Sequence, residues 1–243
     1  LYVRFRPDSA GSQAKATGAE RIAALIAVWP VMVIFVAVIG GIYSGIFTPT
    51  EGAAVGAAGT GIVALLNGGL DRKGLVESFL STASATGMIF FIVLGASVYN
   101  GFLAFSQLPQ QSAAYVGELG LNPWTVLLII LVCYLVFGCI MDSLSMILLT
   151  IPIFFPIVSA LDFGLPPEEF ALWFGIIVLI VVEVGLITPP VGMNLFVINS
   201  MAPDVPLSQT FRGVVPFIAS DIVRVAILVL FPGLTLALVR LLY

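Results

Sequence analysis

Gly185-Leu186-Ile187-Thr188-Pro189-Pro190-Val191-Gly192-Met193-Asn194 interrupts an apolar stretch, residues 168–201, near its middle. Proline has no N–H and its ring collides with the preceding turn, so two adjacent prolines open a helix. Opened backbone at membrane depth is tolerated only where protein or a water-filled cavity satisfies it. A segment that merely crossed lipid gains nothing from such a break. The stretch places bare carbonyls, N–H groups, the Thr188 hydroxyl and the Asn194 amide inside the bilayer, which is the local arrangement of an ion or solute site in a secondary transporter. A proline kink fitted between neighbouring helices is the structural reading of the same residues. It accounts for one proline better than for Thr-Pro-Pro-x-Gly-x-Asn.

Composition agrees with a membrane location. Of 243 residues, 60% are hydrophobic, 9% are charged and none is histidine. A soluble domain carries roughly a quarter charged residues, and several stretches here exceed the ~18–20 apolar residues that span a bilayer. The fold class is therefore an all-α polytopic membrane protein. The formal charge of −4 decides little, because the placement of lysine and arginine matters more. No basic patch lies outside the short loops, so nucleic acid is not an expected partner. Cys133 and Cys139 have no metal-type ligand near them in sequence and read as ordinary apolar thiols. Without histidine, the common zinc sites and histidine acid–base chemistry are excluded, which counts against an enzyme.

Residues 1–21, with Arg4, Arg6, Lys15 and small polar filler, read as a cytoplasmic linker, and the chain reads as part of something longer. Residues 22–105 read as scaffold-type transmembrane helices. The first span, Ile22–Ile46, stops at Thr48-Pro49-Thr50-Glu51, a capping box with Thr48 as N-cap and Glu51 three residues on. The next, Thr50–Leu66, is rich in glycine and alanine, which lets backbones approach closely and predicts a buried helix. Asp71-Arg72-Lys73 forms a basic turn, and a short amphipathic run from Leu75 leads into a third span, Ala85–Phe105. Residues 106–122 read as an external loop, with Gln107–Leu119 an interfacial helix. Residues 123–165 hold two short apolar helices joined by Gly138-Cys139-Ile140-Met141-Asp142-Ser143-Leu144-Ser145. A re-entrant hairpin and two full spans are both compatible with this pair, and the short arms and the absence of a basic residue at the tip favour the hairpin. The broken helix occupies 166–201; a polar loop to residue 212 and a last span, Val214–Leu238, fill 202–243. Alternate crossings put Arg4, Arg6, Lys15, Arg21, Arg72, Lys73 and Arg212 on one side, which the positive-inside rule makes cytoplasmic.

Three groups of residues carry candidate chemistry. Thr188, Asn194 and the carbonyls around Gly185–Val191 supply neutral oxygens, and half-helix C-terminal ends present carbonyls to cations. Asp142, Ser143 and Ser145 form the second group. An acid at mid-bilayer costs about 2.5–3.5 kcal/mol on insertion scales, so Asp142 needs a partner, and capping the helix that starts at Ser143 is the plain alternative. Glu183 is the third, read either as a proton carrier or charge neighbour of the site, or as a structural hydrogen bond to a scaffold helix. Asp221 and Arg224 stand on one helical face and read as mutual charge compensation.

The stretches Gly41-Ile42-Tyr43-Ser44-Gly45-Ile46-Phe47-Thr48-Pro49-Thr50-Glu51 and Gly185 through Phe196 resemble the large membrane subunit of TRAP transporters (tripartite ATP-independent periplasmic, the DctM-type permease). Gly138 through Ser145, followed by Pro152 and Pro156, is similar to that family's second hairpin. The resemblance implies one inverted-repeat half of an ion-transporter-superfamily elevator fold. It implies sodium as coupling ion, held by Gly138, Asp142, Ser143, Gly185, Thr188, Val191 and Met193. It implies a substrate cavity edged by Ser143, Ser145, Pro189, Pro190, Gly192 and Asn194. It also implies a bacterial or archaeal cytoplasmic (inner) membrane location and a carboxylate-containing organic acid such as a C4-dicarboxylate as substrate. The implied partners are the N-terminal half of the large subunit, a small four-helix membrane subunit and a periplasmic binding protein. Only one hairpin and one broken helix are present, so the chain corresponds to the carboxyl-terminal half. An ion channel, a membrane-embedded hydrolase using Asp142 or Glu183, and a structural half-subunit without transport activity are the alternatives. The channel predicts flux without a binding protein, and the hydrolase lacks a paired base.

Overall fold

A computed structural model describes residues 17–201 and 205–242. Among these residues the chain is all helical, with ten helices. They are α1 (Gly18–Tyr43), α2 (Pro49–Leu66), α3 (Arg72–Ser106), α4 (Leu108–Glu118), α5 (Pro123–Gly138), α6 (Ser143–Ser159), α7 (Pro167–Ile187), α8 (Met193–Met201), α9 (Leu207–Leu230) and α10 (Pro232–Leu242). Four of them, α1, α3, α7 and α9, are long and apolar enough to cross a membrane. The chain divides into two compact units, residues 1–88 and 89–243, with α3 running through the boundary.

In the first unit α1 packs on α2. The small residues of α2 make the close approach that the sequence predicts. A Cβ at Gly52 would meet Ile42 Cδ1 at 2.8 Å, and one at Gly59 would meet Ile34 Cγ1 at 3.1 Å. Yet α2 buries only Gly52, so α1 alone does not enclose it. The Thr48 capping box is present: Glu51 N–H donates to Thr48 Oγ1 at 3.3 Å and Thr48 N–H to Glu51 Oε2 at 2.8 Å. A second capping box, Thr17 with Glu20, starts α1. The linker expected over residues 1–21 thus gives way to helix from Gly18. Arg4, Arg6 and Lys15 lie outside the described residues. Helix α3 begins at Arg72 with no break before the expected span, because nothing in residues 72–106 interrupts a helix.

The second unit is organised around α7. Phe170, Trp173, Phe174, Ile177, Val178, Val181 and Val182 form one buried face at helical spacing, and α5, α6, α9 and α10 pack around it. Aromatic side chains fill the end near the start of α7: Trp124 meets Phe163 and Trp173 edge-on at 5.4 and 6.3 Å, and Phe163 stacks on Phe170 at 5.2 Å. The Trp173 indole N–H donates to the Leu228 carbonyl at 2.9 Å, fixing α9 against α7. Arg240 Nε donates to Glu169 Oε1 at 3.0 Å, which ties α10 to the first turn of α7.

The helix expected over Gln107–Leu119 is present as α4, and it packs along α6, with Pro109 buried and Ala113 and Val116 against the core. Two elements differ from the sequence reading. The polar loop expected to reach residue 212 is shorter, since α9 starts at Leu207. The single last span expected over Val214–Leu238 is two helices, divided at Phe231. Pro232 supplies no N–H and pushes the residue before it out of the helical region.

Candidate functional site

The arms of the hairpin are short. Helices α5 and α6 have 16 and 17 residues, so each is about 24–26 Å long at 1.5 Å per residue, less than the ~30 Å hydrocarbon core. Four residues, Cys139–Asp142, join them. Asp142 caps α6: its carboxylate accepts the Ser145 N–H at 2.9 Å, and its carbonyl accepts the Met146 N–H at 3.0 Å. The capping reading of Asp142 therefore describes its geometry, and its side chain is exposed in this chain.

The break between α7 and α8 covers Thr188–Gly192. Its cause is local. In an uninterrupted helix the Gly185 and Leu186 carbonyls would accept from residues 189 and 190, but both are proline and carry no N–H. The Gly185 carbonyl takes the Thr188 N–H instead, at 2.9 Å. The Thr188 hydroxyl donates back to the Val184 carbonyl at 2.6 Å. Gly192 turns the chain into α8 with φ +61°, a left-handed value that glycine adopts freely, and its carbonyl accepts the Leu195 N–H at 2.8 Å.

The hairpin and the break meet at a backbone crossing. A Cβ on Gly185 would stand 2.7 Å from Gly138 Cα and 3.0 Å from the Leu135 carbonyl oxygen, and one on Gly138 would stand 3.0 Å from Gly185 Cα. The two helices touch main chain to main chain there, which only glycine permits. Two side-chain bonds flank the crossing. Cys139 Sγ lies 3.2 Å from the Leu135 carbonyl and 3.6 Å from the Pro189 carbonyl across the break. Ser143 Oγ donates to Glu183 Oε1 at 2.9 Å.

Gly138, Gly185, Ser143, Thr188 and Pro189 are thus brought together by direct contact or short links. Gly192 is buried; Val191 and Met193 are half-buried; Pro190 and Asn194 are exposed; and Ser145 is half-buried on the first turn of α6. The carbonyl ends of α5 and α7 meet at this crossing, and α6 and α8 begin five and eight residues beyond Gly138 and Gly185. Carbonyl ends favour cations and N–H ends favour anions. Cys139 is legible in the sequence only as an apolar thiol, and its reach to Pro189 spans 50 residues. Glu183 does form a structural hydrogen bond, but with the hairpin and not with a scaffold helix. Asp221 and Arg224 pair at 3.0 Å on α9, as their spacing predicts.

A cavity of about 510 Å³ lies beside the site between α5, α7 and α9, lined by Trp124, Leu128, Val132, Val184, Ile222 and Val229 among others. Its walls carry no charged or hydroxyl side chain, so it supplies no coordinating group. Among the described residues no cluster of three or more acidic or cysteine side chains is placed to hold a metal ion.

Comparison with known proteins places these features in a family. Residues 2–234 match the family described as "Tripartite ATP-independent periplasmic transporter, DctM component". The chain is 39% identical over 213 residues to the C4-dicarboxylate TRAP transporter large permease protein DctM of Pseudomonas aeruginosa, covering 87% of this chain and 48% of that protein. It is 35% identical over 208 residues to the sialic acid TRAP transporter large permease protein SiaM of Vibrio cholerae, covering 84% and 46%. It is 32% identical over 232 residues to the ectoine TRAP transporter large permease protein TeaC of Halomonas elongata, covering 93% and 52%. The chain spans about half the length of the curated relatives it matches.

Proposed function

The chain belongs to the DctM family of tripartite ATP-independent periplasmic transporter components, and from that premise we propose that it forms the carboxyl-terminal half of a sodium-coupled permease importing a carboxylate-containing organic acid. The family consists of transporter permeases and not enzymes, and this member is a multi-pass membrane protein. The observation that carries the reading is the crossing of hairpin tip and broken helix at Gly138 and Gly185, beside neutral oxygens and paired half-helix ends.

Sodium is cargo in this scheme. A hard cation of single charge suits the Thr188 and Ser143 hydroxyl oxygens and the Leu186 carbonyl, which has no i+4 donor. The substrate carboxylate is drawn to the N–H ends of α6 and α8, near Ser143, Ser145, Gly192 and Asn194. The positive ion offsets part of the anion's cost of leaving water. Relatives named for C4-dicarboxylate, sialic acid and ectoine support a carboxylate as the common element of the substrate. A complementary half, a small membrane subunit and a periplasmic binding protein complete the machine in a cytoplasmic membrane, which moves substrate by an elevator displacement.

The test is uptake of a radiolabelled dicarboxylate into proteoliposomes holding the assembled transporter, with its binding protein outside. An inward sodium gradient is expected to drive accumulation where a potassium gradient of equal size does not. Equal uptake under both gradients would refute sodium coupling.

A further inference from the structure

A hydroxyl has one proton to give and two lone pairs to offer. Ser143 gives its proton to Glu183 Oε1 at 2.9 Å, and Thr188 gives its proton to the Val184 carbonyl at 2.6 Å. Both side-chain oxygens beside the crossing are therefore left as acceptors, the state that a cation requires of a ligand. The two bonds differ in kind. The Val184 acceptor is a neutral helix carbonyl, whereas Glu183 is a carboxylate, and a hydrogen bond to an ionised acceptor is about twice as strong as a neutral one. Such a bond also polarises the donor, drawing negative charge onto the Ser143 oxygen.

Among the described residues, Ser143 is the hydrogen-bond partner of the Glu183 side chain. Glu183 stands on the face of α7 away from the aromatic core, two residues before Gly185. The ion pairs among the described residues are Lys73–Glu77, Asp221–Arg224 and Glu169–Arg240, so none of these engages Glu183. The neighbouring acid, Asp142, is turned to the Ser145 N–H of its own helix.

We propose that Glu183 is a positioning residue that orients and polarises Ser143 as a cation ligand, a role that rests on the sodium-coupled reading above. The carboxylate commits the Ser143 proton, aims the lone pairs away from α7, and adds a negative charge one bond beyond the ion. The bond joins α6 to α7 across 40 residues, so it forms only when the hairpin is seated on the broken helix.

The test uses the assembled transporter with Glu183→Gln, Ser143→Ala and the double variant. The half-saturating sodium concentration is read in two ways, from the sodium-dependent rise in thermal unfolding temperature and from uptake. Loss of a partner behind a metal ligand costs about 10–100-fold in affinity for tightly held metals, and for a weakly held ion we expect about tenfold from Glu183→Gln. Ser143→Ala is expected to match or exceed it, and the double variant to equal Ser143→Ala, because Glu183 acts through the hydroxyl that is already gone. An unshifted Glu183→Gln, or shifts that multiply in the double variant, overturns the proposal. If Glu183→Gln does not assemble, Glu183→Asp keeps the charge and withdraws it by one methylene. It is expected to shift the sodium requirement with Ser143 present and not with Ser143→Ala; equal shifts in both backgrounds overturn the proposal. A wild-type transporter indifferent to sodium in both readouts sinks the sodium-coupled reading and this inference together, whereas sodium dependence with an unshifted Glu183→Gln sinks the inference alone.

Discussion

Replacing Gly185 by alanine tests the backbone crossing with a single carbon atom. The added Cβ would stand 2.7 Å from Gly138 Cα, 2.9 Å from the Gly138 carbonyl carbon and 3.0 Å from the Leu135 oxygen. Optimal carbon–carbon separations are about 3.5–4.0 Å, so the overlap is roughly 1 Å. All three neighbours are main-chain atoms and cannot rotate away, leaving separation of α5 from α7 as the only relief. Overpacking of this kind costs about 1–3 kcal/mol, and the backbone location puts Gly185 at the upper end. Alanine recovers up to about 1 kcal/mol by its better helix propensity. The net loss is about 2 kcal/mol, or roughly 4–8 °C in unfolding temperature for a chain of this size. Gly138→Ala meets its nearest atoms at 3.0 Å and is expected to lose less. Gly175, on the same helix, has nothing within 4 Å of the place a Cβ would occupy, so Gly175→Ala is the control and should be neutral or slightly stabilising. Thermal unfolding of the three variants in one detergent decides the matter. If Gly185→Ala unfolds with Gly175→Ala, the helices do not touch at this point and the crossing is wrong.

Thr188→Val keeps the side chain's shape and removes the oxygen, so it should raise the half-saturating sodium concentration for uptake while changing the unfolding temperature little; unchanged sodium dependence would remove Thr188 from the ion site. Trp173→Phe strands the Leu228 carbonyl that now accepts the indole N–H at 2.9 Å, and residue 232, which would supply the helical donor, is proline. Leaving a buried acceptor unpaired costs about 1–3 kcal/mol, measurable as a fall in unfolding temperature. Cys139 is 3% exposed while Cys133 is only partly covered, so a maleimide should label Cys133 first in folded protein and Cys139 only on unfolding, as peptide mass spectrometry would show.

Chemistry that acts over one turn is legible in the sequence. Pro189-Pro190 removes two consecutive helix donors whatever lies around it, so the break can be placed to within a few residues. Thr48 with Glu51, and Asp142 ahead of Ser143-Leu144-Ser145, are capping patterns whose partners lie three residues apart. The pairing of Asp221 with Arg224 is of the same kind. Links between residues far apart in the chain are not legible. Nothing near Glu183 in sequence points to Ser143, 40 residues away, and nothing near Cys139 points to Pro189. The seating of α4 along α6 is hidden because an amphipathic helix looks the same against a membrane surface as against another helix. Phe231-Pro232 reads as part of one span because its apolar flanks continue the pattern, although the missing proline N–H is a signal that could have found the division. The glycines of the crossing carry a weak signal: each sits at the end of an apolar helix, where glycine is commonly a cap, and only the three-dimensional contact shows that they face each other.

The central claim is that this chain supplies one half of a sodium-driven carrier. The most direct measurement is sodium-gradient-driven uptake into proteoliposomes, made with this chain alone and then with the complementary half, the small membrane subunit and the binding protein added. Uptake is expected only from the complete set. Uptake or current from this chain alone would contradict the claim and favour a channel.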